Sequence, residues 1–291
     1  QENCVLFSKF LKAGQGKKID CQEIKGDAPA VIAYTGGTTG KAKGVLLSNR
    51  AANAIAFQYK YADKVLDFQN GERFLDIIPP FLAYGLFFGV HMALCTCLED
   101  VLCPDPAPER LPKLFTKYRP NHLSGGPLHM EAMTKDKKIQ GMNLSFAKTV
   151  AYGGDGMNQE WEDEMSKFLK SHQASYGLMK GYGMTEMAGP VCTSNHKFPV
   201  MLPFFCNNIK ILDIDTGEEL GYDQEGEICV SGPSMMMEYY KNPEATREII
   251  FEENGTRWLR TGDLGHVTKE GYFRLTGRLK RILWSIGADK T

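Results

Sequence analysis

Between residues 73 and 176, short apolar runs of strand length alternate with amphipathic segments of helical period, and this rhythm confines the chain to an α/β fold. Residues 73–78, 101–103, 122–124, 147–152 and 174–176 read as strands; residues 86–94, 109–118, 127–133 and 158–170 read as helices. Apolar strands separated by helices predict a mostly parallel sheet flanked by helices. Upstream, residues 31–34 read as a further buried strand. Ser48 is a plausible N-cap for a helix over Asn49–Tyr61, with Ala52, Ile55, Ala56 and Tyr59 on one face. The first 29 residues read as polar and irregular. After Pro203 the pattern changes to short strands between turns, at 208–213, 226–231, 258–260, 265–268 and 272–276. That spacing predicts a small antiparallel or barrel-like β unit. The expected division is an α/β part at 1–203, a β-rich part at 204–276 and a short final segment at 277–291.

Charge and cysteine usage exclude several classes. A formal net charge of −1 gives no electrostatic reason to expect nucleic acid or an anionic membrane as partner. Eight cysteines lack the paired spacing of a zinc site and read as reduced thiols of a cytoplasmic protein. Residues 81–98 carry no formal charge, but Gly85, Gly89, His91 and Thr96 interrupt them. They read as a loop and a short buried helix in place of a membrane span.

The chemistry begins at Tyr34-Thr-Gly-Gly-Thr-Thr-Gly-Lys-Ala-Lys-Gly-Val45. Gly36, Gly37 and Gly40 let backbone N–H groups approach an anion, Thr35, Thr38 and Thr39 add hydroxyls, and Lys41 and Lys43 add charge. A Walker A loop is ruled out by spacing. With Gly40-Lys41 as its end, Thr35 stands where the first Gly belongs and Ala42 where the metal-binding hydroxyl belongs.

Four further segments carry possible site chemistry. Thr149-Val-Ala-Tyr-Gly-Gly-Asp155 brings a strand to bare backbone at Gly153 and Gly154, either a planar-base pocket or a simple tight turn. Gly181-Tyr-Gly-Met-Thr-Glu-Met-Ala-Gly-Pro190 reads as a glycine-rich loop with an aromatic ring, a hydroxyl and a carboxylate. Trp258-Leu-Arg-Thr-Gly-Asp-Leu264 presents Asp263, as a ribose ligand or a turn residue. Gly277-Arg-Leu-Lys-Arg-Ile-Leu283 presents Arg278 and Lys280.

Together these five segments resemble, in order, the motifs of the adenylate-forming (AMP-binding) superfamily of acyl-CoA synthetases, luciferases and peptide-synthetase adenylation domains. The first loop departs from the usual Thr-Ser-Gly-Thr-Thr-Gly-x-Pro-Lys-Gly at Gly36 and Ala42. After the last motif Trp284 and Ile286 replace residues that are usually polar or basic. The resemblance implies ATP-dependent activation of a carboxylic acid to acyl-AMP with pyrophosphate release, then thioester formation with coenzyme A. It implies that Thr35, Gly36, Gly37, Thr38, Thr39, Gly40 and Lys43 hold the β- and γ-phosphates. Gly153, Gly154 and Asp155 would line the adenine pocket, while Tyr182 and Gly183 would lie against the base. Thr185 would contact the α-phosphate, Glu186 would bind Mg²⁺, and Asp263 and Arg278 would take the ribose and the nucleotide.

The resemblance further implies that residues normally precede the first loop. A C-terminal domain carrying a catalytic lysine would normally follow Lys280 at the hinge, so these 291 residues are expected to bind nucleotide and turn over poorly. Leu82 stands where the acid pocket often has His, and no carboxylate is near to pair with an amino group, which favours an uncharged aliphatic or aryl acid, as in fatty acid metabolism. Gly125, Gly126 and the 177–181 stretch are expected as further pocket walls. An amino-acid adenylation domain, a kinase or ATPase, and a non-catalytic nucleotide- or acyl-binding module remain as alternatives.

Overall fold

The computed structural model describes residues 5–18, 23–36, 42–61, 66, 68–103, 107–194 and 200–279. Helix α1 (Phe7–Gly14) comes first, in a stretch expected to be irregular; Phe7, Phe10 and Leu11 recur at helical spacing but stay exposed. Strands β1 (Pro29–Tyr34) and β2 (Gly44–Ser48) then pair antiparallel, with Tyr34 opposite Gly44. The threonine- and glycine-rich loop is therefore the tip of a hairpin, whereas the sequence reading ran from it directly toward a helix. Alternate burial of Val45 and Leu47 marks β2 as a strand in its own right. Helix α2 (Asn49–Tyr61) follows as predicted, and the Ala51 N–H donates to the Ser48 hydroxyl (3.1 Å) as an N-cap bond.

The main sheet is built next. Strand β3 (Arg73–Asp76) leads into helix α3 (Tyr84–Met92), which has π-helical winding. Then come β4 (Glu99–Leu102), α4 (Leu111–Tyr118), β5 (His122–Gly125), α5 (Pro127–Lys135), α6 (Lys137–Gln140) and β6 (Thr149–Tyr152). Helix α7 (Gln159–Ser171) is capped by Asn158 and precedes β7 (Leu178–Met184), β8 (Gly189–Thr193) and β9 (Leu202–Pro203). The sheet order is β4-β3-β5-β6-β7-β8-β9, parallel from β4 to β7 and antiparallel beyond. Strand residues alternate between two cores. Phe74, Ala151 and Met179 pack on one side with α2 and α3, while Leu75, Leu123, Val150 and Leu178 pack on the other with α4, α5 and α7. A sheet buried on both faces is what the helix–strand alternation required.

Two local readings are corrected here. Residues 181–184 are not loop but the end of β7, which runs past its pairing with β6 and is held in extended backbone by antiparallel pairing with β8. Gly85 and Gly89 do not break a helix either. They lie one turn apart on the face of α3 pressed against the end of β3, where a Cβ at Gly85 would collide with the Pro79 carbonyl and one at Gly89 with the Asp76 carboxylate. The glycines permit the close approach. Among the described residues no helix is long and apolar enough to cross a membrane, and the six described cysteines are free thiols.

The second half forms an antiparallel sheet of β10 (Asn208–Leu212), β11 (Gly226–Ser231), β13 (Ile250–Glu253), β14 (Thr256–Val267) and β15 (Phe273–Arg278). Two strands expected at 258–260 and 265–268 are one, β14, paired at 256–260 and again at 263–267. The Thr-Gly-Asp turn chemistry survives as the irregularity between them, opposite Glu227 and Cys229, with Gly262 at φ +70° and the Asp263 N–H donating to the Thr261 hydroxyl (3.1 Å). Between β11 and β13 lie β12 (Glu238–Tyr239) and α8 (Pro243–Ile249); β12 crosses back to pair with β2.

Asp76 at the end of β3 is fully buried, and its Oδ2 has no hydrogen-bond partner, while Oδ1 accepts the Ile78 N–H (3.1 Å). Burial foremost, and then the Asp100 carboxylate, pushes its pKa up to about 7. The folded value lies above the ordinary 3.8, so this group's stabilisation is complete at low pH and is lost as pH rises through about 7. Asp76→Asn, which carries no charge, should raise stability over wild type at pH 8 by on the order of 2–4 kcal/mol and change it little at pH 4. Asp100, pushed up to about 6 by burial, keeps a weaker slope in the variant. Urea midpoints at the two pH values check this; equal gains at both would show that charge is not the cause.

Candidate functional site

The first cluster forms at the base of the threonine loop. The Thr35 N–H donates to the Lys43 carbonyl (3.0 Å) and the Lys43 N–H donates back to Thr35 Oγ1 (3.1 Å), closing the hairpin below its tip. Gly36 is exposed, whereas Gly37, Thr38, Thr39, Gly40 and Lys41 lie outside the described residues. Pairing of β12 with β2 sets Tyr239 opposite Val45, and there Lys43 Nζ lies 4.7 Å from the centre of the Tyr239 ring. The Tyr239 hydroxyl donates to Glu186 Oε1 (2.5 Å), and the Met236 N–H donates to the Glu186 carbonyl (2.8 Å). Burial, with the Glu186 carboxylate beside it, holds the Tyr239 phenol well above its ordinary pKa, so it stays a donor.

Thr185 and Glu186 begin a single 3₁₀ turn directly after β7, closed by Ala188 at φ +57° and fully buried. A left-handed alanine costs about 1 kcal/mol, and its position fixes where the Thr185 and Glu186 side chains emerge. Tyr239 was not anticipated from the sequence. Nothing in a Glu-Tyr-Tyr stretch marks it until β12 reaches β2.

A second cluster joins three segments. The Tyr182 hydroxyl donates to Asp263 Oδ2 (2.8 Å), and Arg278 Nε pairs with Asp263 Oδ1 (3.2 Å). Asp263 and Arg278 are register partners on β14 and β15. Burial, and then the Asp263 charge, raises the Tyr182 pKa well above its usual value, and the ring packs at 5.2 Å from Phe273. Asp155 is exposed and accepts the Gly156 N–H, while Gly153 and Gly154 sit at the end of β6. Lys280 lies outside the described residues.

Between these clusters and α3 lies a cavity of about 100 Å³. Its floor is one face of three neighbouring strands: His122 and Ser124 on β5, Thr149, Ala151 and Gly153 on β6, and Met179, Gly181 and Gly183 on β7. Side chains shrink toward the carboxyl ends of β6 and β7, leaving room above the sheet. Phe74 on β3 extends the floor beside His122, and the roof is aromatic, from Tyr59, Phe68, Tyr84 and Phe88. No Asp, Glu, Lys or Arg lines it among the described residues. Tyr84 and Ser124 hydroxyls share a 2.5 Å hydrogen bond across the cavity, and burial chiefly pushes the Tyr84 phenol up to about 12. Of the expected glycine walls only Gly181 lines it; Gly125, Gly126 and Gly177 do not, and Leu82 packs with the core. The signal for this floor was the two-residue alternation Thr149-x-Ala151-x-Gly153 and Met179-x-Gly181-x-Gly183, small residues on one strand face.

The family model for "AMP-binding enzyme" matches residues 3–240. The chain belongs to the AMP-binding enzyme family. It is 31% identical over 293 residues to 4-coumarate-CoA ligase 1 of Narcissus pseudonarcissus, covering 97% of this chain and 52% of that protein. To the long-chain-fatty-acid–CoA ligase of Bacillus subtilis (strain 168) it is 30% identical, covering 87% of this chain and 44% of the relative. A crystal structure of a long-chain-fatty-acid-CoA ligase (FadD1) from Archaeoglobus fulgidus shares the fold, with TM-score 0.80 and 22% identity, over 97% of this chain and 58% of that one. The chain spans about half the length of the curated relatives it matches.

Tyr239→Phe leaves the ring beneath Lys43 but removes the donor to a partly buried carboxylate. Stability should fall by about 1–2 kcal/mol. Chemical denaturation measures this, and an unchanged midpoint would show that water replaces the phenol at no cost.

Proposed function

We propose that this AMP-binding family member activates a carboxylic acid with ATP and passes the acyl group to coenzyme A. The acid's carboxylate oxygen attacks the α-phosphorus, the bond to pyrophosphate breaks, and acyl-AMP forms. A thiolate then attacks the acyl carbon and AMP leaves. The observation that carries this reading is the meeting of distant segments about β7: Thr35, Lys43, Tyr239 and Glu186 on one side, Tyr182, Asp263 and Arg278 on the other, with an uncharged cavity between.

In this reading the threonine loop and Lys43 hold the β- and γ-phosphates, Thr185 the α-phosphate, Asp263 and Arg278 the ribose side, and Gly153, Gly154 and Tyr182 the adenine. The chemical step asks for alignment and charge neutralisation more than covalent help. Glu186 suits Mg²⁺, which takes one or two carboxylates and completes its shell with phosphate oxygens and water. No group of three or more His, Cys, Asp or Glu among the described residues offers a full protein cage, in keeping with that sharing. Bound Mg²⁺ would supply charge neutralisation on the phosphates. Tyr239 fixes the rotamer of Glu186, and Lys43 lies on the other side of the same ring.

The uncharged lining favours an acid without an amino group, because an ammonium there would be buried without a partner. We further read residues 1–203 and 204–276 as an α/β and a β-rich part with a hinge segment after them, and these 291 residues as binding nucleotide while turning over weakly.

Acid-dependent exchange of labelled pyrophosphate into ATP tests the proposal. Wild type should show exchange that rises with an aliphatic or aryl acid, and Glu186→Gln should lower it about a hundredfold. An unchanged rate in the variant would remove Glu186 from this role. Release of ADP in place of pyrophosphate, or saturable acid binding with no exchange, would overturn the acid-activation reading.

A further inference from the structure

Strands β6 and β7 part at a single pair of residues. Their parallel pairing ends where Tyr152 stands beside Lys180. Beyond that pair the chain of β6 enters Gly153 and Gly154, the latter at φ +84°, while β7 runs on beside β8 to Thr185 and Glu186. The acid-activation reading seats the adenine in the opening between these two paths, against Gly153, Gly154 and Tyr182. The spacing of the strands at Tyr152 and Lys180 therefore fixes how far apart the walls of that slot stand. The walls have little slack, since a Cβ on Gly153 would lie 3.2 Å from the Gly181 carbonyl oxygen.

On the opposite face of the sheet one side chain holds both residues. Side chains alternate along a strand, so Tyr152 and Lys180 point toward α7, away from the glycines that follow them. There Glu162, in the first turn of α7, accepts from the Tyr152 hydroxyl at Oε1 and from Lys180 Nζ at Oε2 (2.8 Å). Tyr152 is 5% exposed, the Glu162 side chain 13% and the Lys180 side chain 23%. Burial, and then the Glu162 carboxylate, holds the Tyr152 phenol far above its ordinary pKa, so it stays a donor. Helix α7 is itself anchored at this end. Asn158 Oδ1 accepts the Trp161 N–H (2.9 Å), and the Ser166 hydroxyl accepts the Leu178 N–H of β7 (3.1 Å). From the other side the Ser194 hydroxyl accepts the Lys180 N–H (2.8 Å).

A carboxylate with one oxygen on each of two neighbouring strands is a rigid spacer, and hydrogen bonds to a charged group are stronger than neutral ones. This one sits at the last rung of the backbone ladder, where strands fray first and a side-chain tie has most effect on spacing. We propose that Glu162 is a positioning residue for the nucleotide: by clasping Tyr152 and Lys180 from the far side of the sheet, it sets the width of the slot that receives the adenine. It acts through those two residues and not by touching the nucleotide. The inference rests on the acid-activation reading, which places the base at Gly153, Gly154 and Tyr182 and gives the phosphates to a different element, the threonine loop with Lys43. A clasp of this kind governs recognition of the base and leaves recognition of the phosphates alone.

The test is calorimetric titration of this chain with ATP and with inorganic tripolyphosphate, each with Mg²⁺, since the second carries the phosphate contacts without the base. Glu162→Ala and Lys180→Met should weaken ATP binding about 10–100-fold and leave tripolyphosphate binding within about twofold of wild type. Tyr152→Phe, which removes one of the two ties, should weaken ATP binding by less. Lys180→Arg, which keeps the ion pair, should hold ATP near the wild-type affinity. Unchanged ATP binding in Glu162→Ala, an equal loss for both ligands, or a loss in Lys180→Arg as large as in Lys180→Met would overturn the proposal and leave acid activation intact. Failure of the wild type to bind ATP would overturn the acid-activation reading itself, and the proposal with it.

Discussion

Everything in this molecule depends on a parallel sheet that must be covered on both faces yet must leave a gap on one of them. The α4, α5 and α7 side closes over Leu75, Leu123 and Val150, with Leu178 half-buried at its edge. The other side closes over Phe74, Ala151 and Met179, but Gly153 and Gly181 add no side chain there, and a gap lined by them remains beside Tyr84 of α3. Helix α3 is held down elsewhere, by Gly85 and Gly89 against the end of β3. The cavity is therefore a designed shortfall of side-chain volume between a fixed helix and a fixed sheet, kept open because both walls are anchored outside it.

The polar groups around the gap obey the same logic of fixed positions. Tyr239 reaches Glu186 because a two-residue strand crosses from the second half of the chain to the hairpin of the first. Asp263 reaches both Tyr182 and Arg278 because one long strand, β14, passes beside β15 while facing β7. Each carboxylate is thereby held by a phenol that burial keeps protonated. Such donors orient a carboxylate without cancelling its charge, which suits groups that must still attract a cation or a sugar hydroxyl.

The helix at Asn49–Tyr61, the amphipathic helix after Asn158 and the mostly parallel character of the central sheet were legible, the helices from local periodicity and the sheet from the alternation of strands with helices. The readings that failed were those where a neighbour outvoted local preference. Gly181 and Gly183 looked like loop until pairing with β8 held them extended, and Thr261-Gly-Asp263, open to a turn or a ribose ligand, lies inside one long strand whose two ends are paired. Of the site, the motif residues were legible by type and order. Glu162 and Tyr239 were not singled out, since each lies in an ordinary helix or strand segment and gains its meaning from what it faces.

The sequence by itself determined the fold class and the inventory of threonines, glycines, carboxylates and cations, because periodicity, capping and motif spacing are short-range properties of the chain. Only the tertiary structure decided that Lys43, Tyr239 and Glu186 form one cluster, that Asp263 is shared by Tyr182 and Arg278, and that a cavity lies between them. Those contacts join residues scores of positions apart. Strand pairing sets them, and the energy that favours one pairing over another comes from burying whole faces of the sheet, which no local stretch of sequence contains.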